Sequence, residues 1–180
     1  MAQPVNLFLV GPMGAGKSTI GKRLARDLGM DFLDSDHVIE KRTGVDIPLI
    51  FEIEGEAGFR VRERAVIEEL TARRCVVLAT GGGAILDPAN RRALAARGTV
   101  IYLRTTPEQS LARTGGCHNR PLLRTESPLV RLRELFAVRD PLYAETADLI
   151  LETDEKPVAA VVSTLAQKFC PTLLNSGLNP

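Results

Sequence analysis

The chain has no tryptophan, and aromatic residues occupy only 4% of its 180 positions. Proteins that bind single-stranded nucleic acid stack bases on aromatic side chains, so this composition argues against that function. The formal net charge is only +1, and no strong overall field would attract the chain to nucleic acid or to an anionic membrane. We therefore expect neither nucleic acid nor a membrane as a partner.

Cysteine is also scarce. Cys75, Cys117 and Cys170 lie far apart without C-x-x-C spacing, which argues against a disulfide framework or a zinc site and suits a reducing cytoplasm. No apolar run approaches the roughly 20 residues needed to span a bilayer, and residues 1–4 do not resemble a signal peptide. With 44% hydrophobic and 25% charged residues, the composition predicts a soluble, cytoplasmic, globular protein.

What the chain does contain is a phosphate-binding signature. Residues 11–19, GPMGAGKST, match the P-loop pattern G-x-x-x-x-G-K-[ST]. An apolar run at residues 5–10 predicts a strand before it, and Ile20, Leu24 and Leu28 share one face of a predicted helix after it. A glycine-rich turn with a helix-capping serine is the alternative, but both flanks fit the P-loop context.

The P-loop predicts a nucleotide site and a metal. Its backbone N–H groups and the helix N-terminus can bind phosphate oxygens. Lys17 would reach the β- and γ-phosphates, and the Ser18 hydroxyl would ligate Mg²⁺. The expected nucleotide-binding residues of the loop are Gly14, Ala15, Gly16, Lys17, Ser18 and Thr19.

Strand and helix patterns alternate about five times along the chain. This alternation predicts an α/β fold, a three-layer αβα sandwich whose central five-stranded sheet is mostly parallel. We expect one domain over residues 1–170 and a loose tail over 171–180. Gly55 should separate two helices, and Asp140-Pro141 should begin a short helix after a helix over 128–138.

Three polar or glycine-rich stretches follow predicted strands and should meet at the carboxyl edge of the sheet: the P-loop, residues 34–36 and residues 81–83. Asp34 and Asp36 could bind Mg²⁺ or its waters and accept a proton from a substrate hydroxyl, or they could cap a helix. The third strand ends in Ala79-Thr80, without an acid, so the metal-binding carboxylate should be Asp34 or Asp36.

The glycines at 81–83 would let backbone approach a ligand closely.

Several arginines are further candidates for contacts with a ligand. Arg60 could contact a ligand or pair with Glu56 on a solvated helix face. Arg120 lies in a stretch predicted to be mobile and could act as an arginine finger, although a solvated loop charge is favoured from sequence alone. Arg139 could instead be a cation at a helix C-terminus.

Taken together, these motifs resemble those of shikimate kinases over almost the whole chain, from about residue 5 to about residue 169. They lie, in order, at residues 11–19, 34–36, 51–60, 81–83, 113–116, 120–123 and 139–143. The resemblance implies transfer of the ATP γ-phosphate to the 3-hydroxyl of shikimate, with Mg²⁺, on the route to chorismate and the aromatic amino acids.

The resemblance also implies residue roles. Shikimate would be bound by Asp36, Arg60, Gly82 and Arg139, and the catalytic residues would be Lys17, Asp36 as base, and Arg120. Asp34 would lie beside the Mg²⁺ waters next to Ser18, Arg113 would pack on adenine, and Pro157 would be a further adenine contact. Residues of about 114–126 would close as a lid. We expect a monomer, since no apolar stripe remains once helices cover the sheet.

Three other functions are weighed against this one. Gluconate kinases share the fold and an acidic polyol substrate, but residues 51–60 and the surroundings of Arg139 favour shikimate. Nucleoside monophosphate kinases need a base-binding pocket that the sequence does not reveal. A non-catalytic P-loop sensor would bind ATP without turnover, and the presence of Lys17, Ser18, Asp36 and Arg120 argues against it.

Overall fold

The computed structural model describes residues 6–114 and 127–169. Along these residues five strands alternate with seven helices. The elements are β1 (Leu7–Val10), α1 (Lys17–Leu28), β2 (Asp31–Asp34), α2 (Ser35–Thr43), α3 (Ile47–Thr71), β3 (Val76–Ala79), α4 (Pro88–Arg97), β4 (Thr99–Arg104), α5 (Pro107–Arg113), α6 (Pro128–Thr146), β5 (Leu149–Glu152) and α7 (Val158–Phe169). The predicted αβ alternation is confirmed.

The strands form one sheet in the order β2-β3-β1-β4-β5, and all four neighbouring pairs are parallel. β1 is the central strand, with Leu7 opposite Val77 of β3 on one side and Thr99 of β4 on the other. Because parallel strands need crossover connections, every carboxyl end meets the same edge of the sheet. The P-loop therefore begins at the middle of that edge.

Helices cover both faces of the sheet and make the three predicted layers. Leu7 and Leu9 of β1 belong to an apolar cluster with side chains of α1 and α7. Phe8 and Val10 point to the other face, where they belong to a cluster with side chains of α2, α3, α4 and α6. All four side chains are buried, because successive residues of a strand face opposite layers and both layers here are apolar.

The predicted break at Gly55 is present as a kink within α3. Gly55 has φ 71° and ψ 179°, which is not a helical conformation, and helix resumes after it. Asp46 accepts a hydrogen bond from the Leu49 N–H and caps the first half. Phe51 and Phe59 contact each other across the kink, with ring centroids 4.8 Å apart.

The prediction of a separate helix beginning at Asp140-Pro141 is wrong, because α6 continues through Pro141 to Thr146. A proline inside a helix costs about 3 kcal/mol. Tertiary contacts offset this cost: the Asp140 carboxylate accepts hydrogen bonds from the Tyr102 hydroxyl at 2.6 Å and from the Arg104 guanidinium at 2.9 Å. These contacts attach the helix to β4 at the residue directly before the proline.

Some predictions fall on other parts of the chain. Arg120, Cys117, His118, Cys170 and the 171–180 tail lie outside the described residues, as does the predicted lid apart from Thr114. Within the described ranges, no helix is both long and apolar enough to cross a bilayer.

Candidate active site

The P-loop connects β1 to α1 at the centre of the sheet edge. Gly14 has φ 74°, and a Cβ there would approach the Ser110 carbonyl oxygen to 2.9 Å, so only glycine fits without strain. Gly16 caps α1, whose N-terminus faces the loop. The Ser110 hydroxyl donates to the Met13 carbonyl oxygen at 2.6 Å and holds the loop from the α5 side. The result is a glycine-rich turn at a helix N-terminus, an arrangement that can bind an anion.

Lys17 lies across this loop. Its ammonium donates hydrogen bonds to the carbonyl oxygens of Gly11 and Pro12, each at 2.7 Å. Both acceptors belong to the beginning of the loop, so the ammonium group lies against the P-loop backbone. This placement fits the phosphate-binding role predicted for Lys17.

Asp34 makes two kinds of contact with its two carboxylate oxygens. Oδ1 accepts hydrogen bonds from the backbone N–H groups of Asp36 and His37 at 3.1 and 3.3 Å and thereby caps α2. Oδ2 accepts the Ser18 hydroxyl at 2.5 Å. Asp34 therefore caps α2 and also lies beside Ser18.

The Ser18–Asp34 pair has the chemistry that Mg²⁺ requires. Hydroxyl and carboxylate oxygens are hard ligands, and Mg²⁺ in phosphotransferases is held by one or two such groups together with waters and substrate phosphates. Over residues 6–114 and 127–169, no cluster of three or more His, Cys, Asp or Glu side chains could enclose an ion by itself. The residues present fit an ion that is shared with a nucleotide.

Two carboxylates converge on the glycine stretch after β3. A Cβ at Gly81 would lie 2.6 Å from Oδ1 of Asp36 and 2.8 Å from Oε1 of Glu63. A Cβ at Gly82 would lie 3.5 Å from both the Gly11 carbonyl oxygen and the Met13 amide nitrogen. The predicted convergence of the three stretches at one edge of the sheet is therefore confirmed.

Arg60 projects from the second half of α3 into this convergence. Its guanidinium pairs with Glu56 at 2.8 Å and with Glu63 at 2.7 Å, and a Cβ at Gly83 would collide with it. The Arg60–Glu56 pair considered from sequence is present, but only 20% of the Arg60 side chain is exposed. Arg60 therefore belongs to the cleft rather than to a solvated helix face.

Sequence reasoning missed Glu63, whose side chain is 1% exposed. Its signal was positional: Glu63 lies four residues after Phe59 and four before Ile67, both buried, so it occupies the apolar face of α3. Burial raises the pKa of Glu63 to about 7, with a contribution from Asp36, while Arg60 and Arg139 act in the opposite direction.

Arg139 is 5% exposed and lies inside α6, seven residues before its last residue, so it is not a cation at a helix C-terminus. Burial lowers the pKa of Arg139, and the nearby positive charge of Arg60 lowers it further. Two guanidinium groups thus share one partly dehydrated cleft. An anionic ligand between them would relieve their repulsion and accept bidentate hydrogen bonds.

Arg113 lies on the opposite side of the P-loop. Its guanidinium donates to the Gly14 carbonyl oxygen at 3.3 Å and to the Thr153 carbonyl oxygen at 2.7 Å, and so connects the loop to the end of β5. Pro157 is exposed just before α7. The contacts of Arg113 and Pro157 with adenine stay predictions.

Comparison with known proteins decides the family. A family model described as "Shikimate kinase" matches residues 13–170 of the chain. The chain belongs to the shikimate kinase family. A shikimate kinase of Thiobacillus denitrificans is 58% identical over 169 residues, which cover 94% of this chain and 92% of the relative.

Solved structures agree with this membership of the shikimate kinase family. The structure of "Shikimate kinase from Acinetobacter baumannii in complex with shikimate" is 50% identical, with a TM-score of 0.89, and the match covers 97% of this chain and 96% of that one. A gluconokinase from Sinorhizobium meliloti is 17% identical with a TM-score of 0.53, over 98% and 99% of the two chains. The likeness to gluconokinase shows a shared fold alone.

Proposed function

We propose that this chain transfers the γ-phosphate of ATP to the 3-hydroxyl of shikimate, forming shikimate 3-phosphate on the route to chorismate and the aromatic amino acids. The observation that carries the proposal is the cleft in which Arg60, Arg139 and Asp36 lie beside a P-loop. Family membership supports the same assignment.

Arg60 and Arg139 bind the shikimate carboxylate in this proposal. Their guanidinium groups are buried enough for a carboxylate to be held strongly, and their charges already act on each other. Gly82 presents backbone to the same ligand beside the P-loop. Glu63 forms an ion pair with Arg60, so the guanidinium is oriented before the substrate binds.

Asp36 is the proposed base. The 3-hydroxyl oxygen attacks the γ-phosphorus, the bond from that phosphorus to the oxygen of ADP breaks, and the hydroxyl proton passes to the Asp36 carboxylate. Lys17 neutralises charge on the transferring phosphoryl group from the P-loop. We propose the same task for Arg120, which lies outside the described residues.

Mg²⁺ is the proposed metal, held by Ser18 directly and by Asp34 through water. When bound, the ion neutralises negative charge on the phosphates. The nucleotide contacts are proposed for Gly14, Ala15, Gly16, Lys17, Ser18, Thr19, Arg113 and Arg120. Further proposals are a lid over about residues 114–126, a monomer, and a cytoplasmic location.

The test is a coupled assay of ADP release by the purified chain with ATP and Mg²⁺, in parallel with shikimate, gluconate and nucleoside monophosphates. We expect release with shikimate and release slower by roughly 100-fold or more with the others. The rigid ring of shikimate presents its carboxylate to both arginines and its 3-hydroxyl to Asp36 at the same time, and loss of one charged contact costs roughly this factor. Release with gluconate at a comparable rate would reassign the substrate. ATP binding without release in any arm would favour a sensor.

A further inference from the structure

Tyr143 connects two parts of the acceptor side, the part of the cleft formed by Asp36, Arg60, Gly82 and Arg139. These two parts are the glycine stretch at 81–83 and Arg139, which no sequence motif relates to each other. The Tyr143 hydroxyl donates a hydrogen bond to the Gly82 carbonyl oxygen, 61 positions away in the chain. Tyr143 also lies one helical turn after Arg139 on α6, so the two side chains occupy the same face of that helix. One phenol group therefore lies between the glycine stretch and the arginine.

The glycine stretch needs such an anchor. Residues 81–83 carry no side chains that could restrict their backbone, and glycine is the most permissive residue conformationally. The Gly81 carbonyl oxygen accepts the Ala84 N–H at 3.1 Å, which holds the peptide group before Gly82. The Tyr143 hydroxyl holds the peptide group after Gly82. Because peptide groups are planar, these two bonds together orient the backbone of Gly82.

The anchor itself cannot move easily. Tyr143 is 2% exposed, and its ring stacks on Tyr102 with centroids 4.8 Å apart and an angle of 29° between the planes. Burial raises the pKa of the Tyr143 phenol, and the neighbouring Arg139 guanidinium acts against that shift. The phenol therefore keeps its proton at neutral pH and remains a donor, with a cation beside it.

We propose that Tyr143 is a positioning residue for the acceptor substrate: its hydroxyl sets the placement of the Gly82 peptide relative to Arg139, and so the spacing of two groups that contact the substrate. This role rests on the proposed function. It differs from the role of the Glu63–Arg60 ion pair, whose residues lie on α3 and orient Arg60 rather than the Gly82 peptide.

The decisive variant is Tyr143→Phe, which keeps the stacked ring and removes only the hydroxyl. We expect the KM for shikimate to rise about three- to tenfold, as for loss of one hydrogen bond, with the KM for ATP unchanged. The matched control is Tyr102→Phe, which removes the other hydroxyl of the stack. That hydroxyl contacts Asp140 instead of Gly82, and Arg104 still holds the Asp140 carboxylate, so the KM for shikimate should stay at its wild-type value.

Steady-state kinetics with each substrate varied separately distinguish the outcomes. A purely structural effect would alter both KM values or the thermal stability alone. Wild-type shikimate KM in Tyr143→Phe, or an equal rise in the Tyr102→Phe control, would overturn the positioning role. If the wild-type chain releases no ADP with shikimate, it is the proposed function that fails.

A spectroscopic measurement on the wild-type chain keeps the proposal falsifiable even if Tyr143→Phe does not fold. The chain has only two tyrosines, so enzyme labelled with ¹³C at tyrosine Cζ gives two NMR signals, which the Tyr102→Phe spectrum assigns. Saturating shikimate should move the Tyr143 signal more than the Tyr102 signal, because Arg139 engages the carboxylate next to the Tyr143 phenol. An unmoved Tyr143 signal in an enzyme that turns over shikimate would contradict the proposal.

Discussion

Asp34 and Asp36 are two positions apart, yet their carboxylates serve different parts of the molecule. Asp34 divides its two oxygens between the N-terminus of α2 and the Ser18 hydroxyl. Asp36 lies in the first turn of α2 and directs its carboxylate toward Gly81 and the acceptor cleft. This difference arises because β2 ends directly in α2. Asp34 is the last residue of the strand and Asp36 lies in the first turn of the helix, so the two side chains point in different directions.

Asp36→Asn should abolish most of the turnover while leaving the fold and ATP binding intact. An amide has the size of the carboxylate but cannot accept the substrate proton, so kcat should fall by roughly 10²- to 10⁴-fold. Steady-state kinetics and an ATP-binding titration would measure the two effects. The control is Asp31→Asn at the exposed start of β2, which should retain wild-type kcat. Near-normal turnover in Asp36→Asn would remove Asp36 as the base.

The two contacts of Asp34 can be separated by a pair of substitutions. Asparagine is as good a helix cap as aspartate, so Asp34→Asn should keep the stability of α2 and weaken only the metal site. Asp34→Ala loses both contacts and should cost about 1 kcal/mol of unfolding free energy as well. In both variants the Mg²⁺ concentration for half-maximal activity should rise. A Mg²⁺ titration of activity and urea unfolding give the two readouts, and an unchanged Mg²⁺ requirement would contradict the metal role.

At the scale of a single helix, the kink in α3 determines the position of the acceptor-side residues Arg60 and Glu63. Arg60 and Glu63 follow Gly55 on the same helix, so the direction of the helix after the kink determines where their ion pair lies. The φ of 71° and ψ of 179° at Gly55 lie in a region that is essentially restricted to glycine.

Gly55→Ala should therefore cost about 1–3 kcal/mol of unfolding free energy and raise the KM for shikimate. Gly44→Ala is the matched control: Gly44 ends α2 with φ 73° and ψ 7°, in the left-handed helical region that alanine can enter at a cost of about 1 kcal/mol. A Cβ would meet no atom within 4 Å at either glycine among the described residues, so backbone strain alone distinguishes them. Equal stability losses by urea unfolding, with unchanged KM, would refute this account.

At the scale of the whole molecule, one buried carboxylate couples stability to pH. The pKa of Glu63 is raised from its ordinary 4.5 to about 7 by burial. Because the folded state binds this proton more tightly than the unfolded chain, the stabilising contribution is complete below about pH 4.5. It is lost as the pH rises through about 7.

Glu63→Gln removes this titration. The unfolding free energy of the wild type relative to Glu63→Gln should fall by about 2–3 kcal/mol between pH 5 and pH 8. Urea unfolding at several pH values measures the difference. Glu56→Gln is the matched control for loss of an ion pair to Arg60, because it removes the other partner of that guanidinium, and the Glu56 side chain is 49% exposed. A constant difference for Glu63→Gln would show that burial does not control its ionisation.

The parallel sheet also explains why a local signature could predict so much of the molecule. Once strands and helices alternate, crossover connections bring every strand's carboxyl end to one edge. The P-loop, Asp36 and the 81–83 glycines follow strands and Asp34 ends one, so their convergence could be predicted from the pattern alone. The kink at Gly55 was likewise a local signal, since one glycine interrupts an otherwise helical stretch.

What the sequence by itself determined was the identity of the elements, the phosphate-binding loop and the edge at which ligands bind, because these depend on neighbours within a few residues. Only the tertiary structure decided that α6 passes through Pro141, that Glu63 lies buried under Arg60, and that Tyr143 anchors Gly82. Each of these three features joins residues of different elements or depends on burial. Neither residue spacing nor helix and strand propensity encodes which distant side chain will compensate the energetic cost of a proline or of a buried charge.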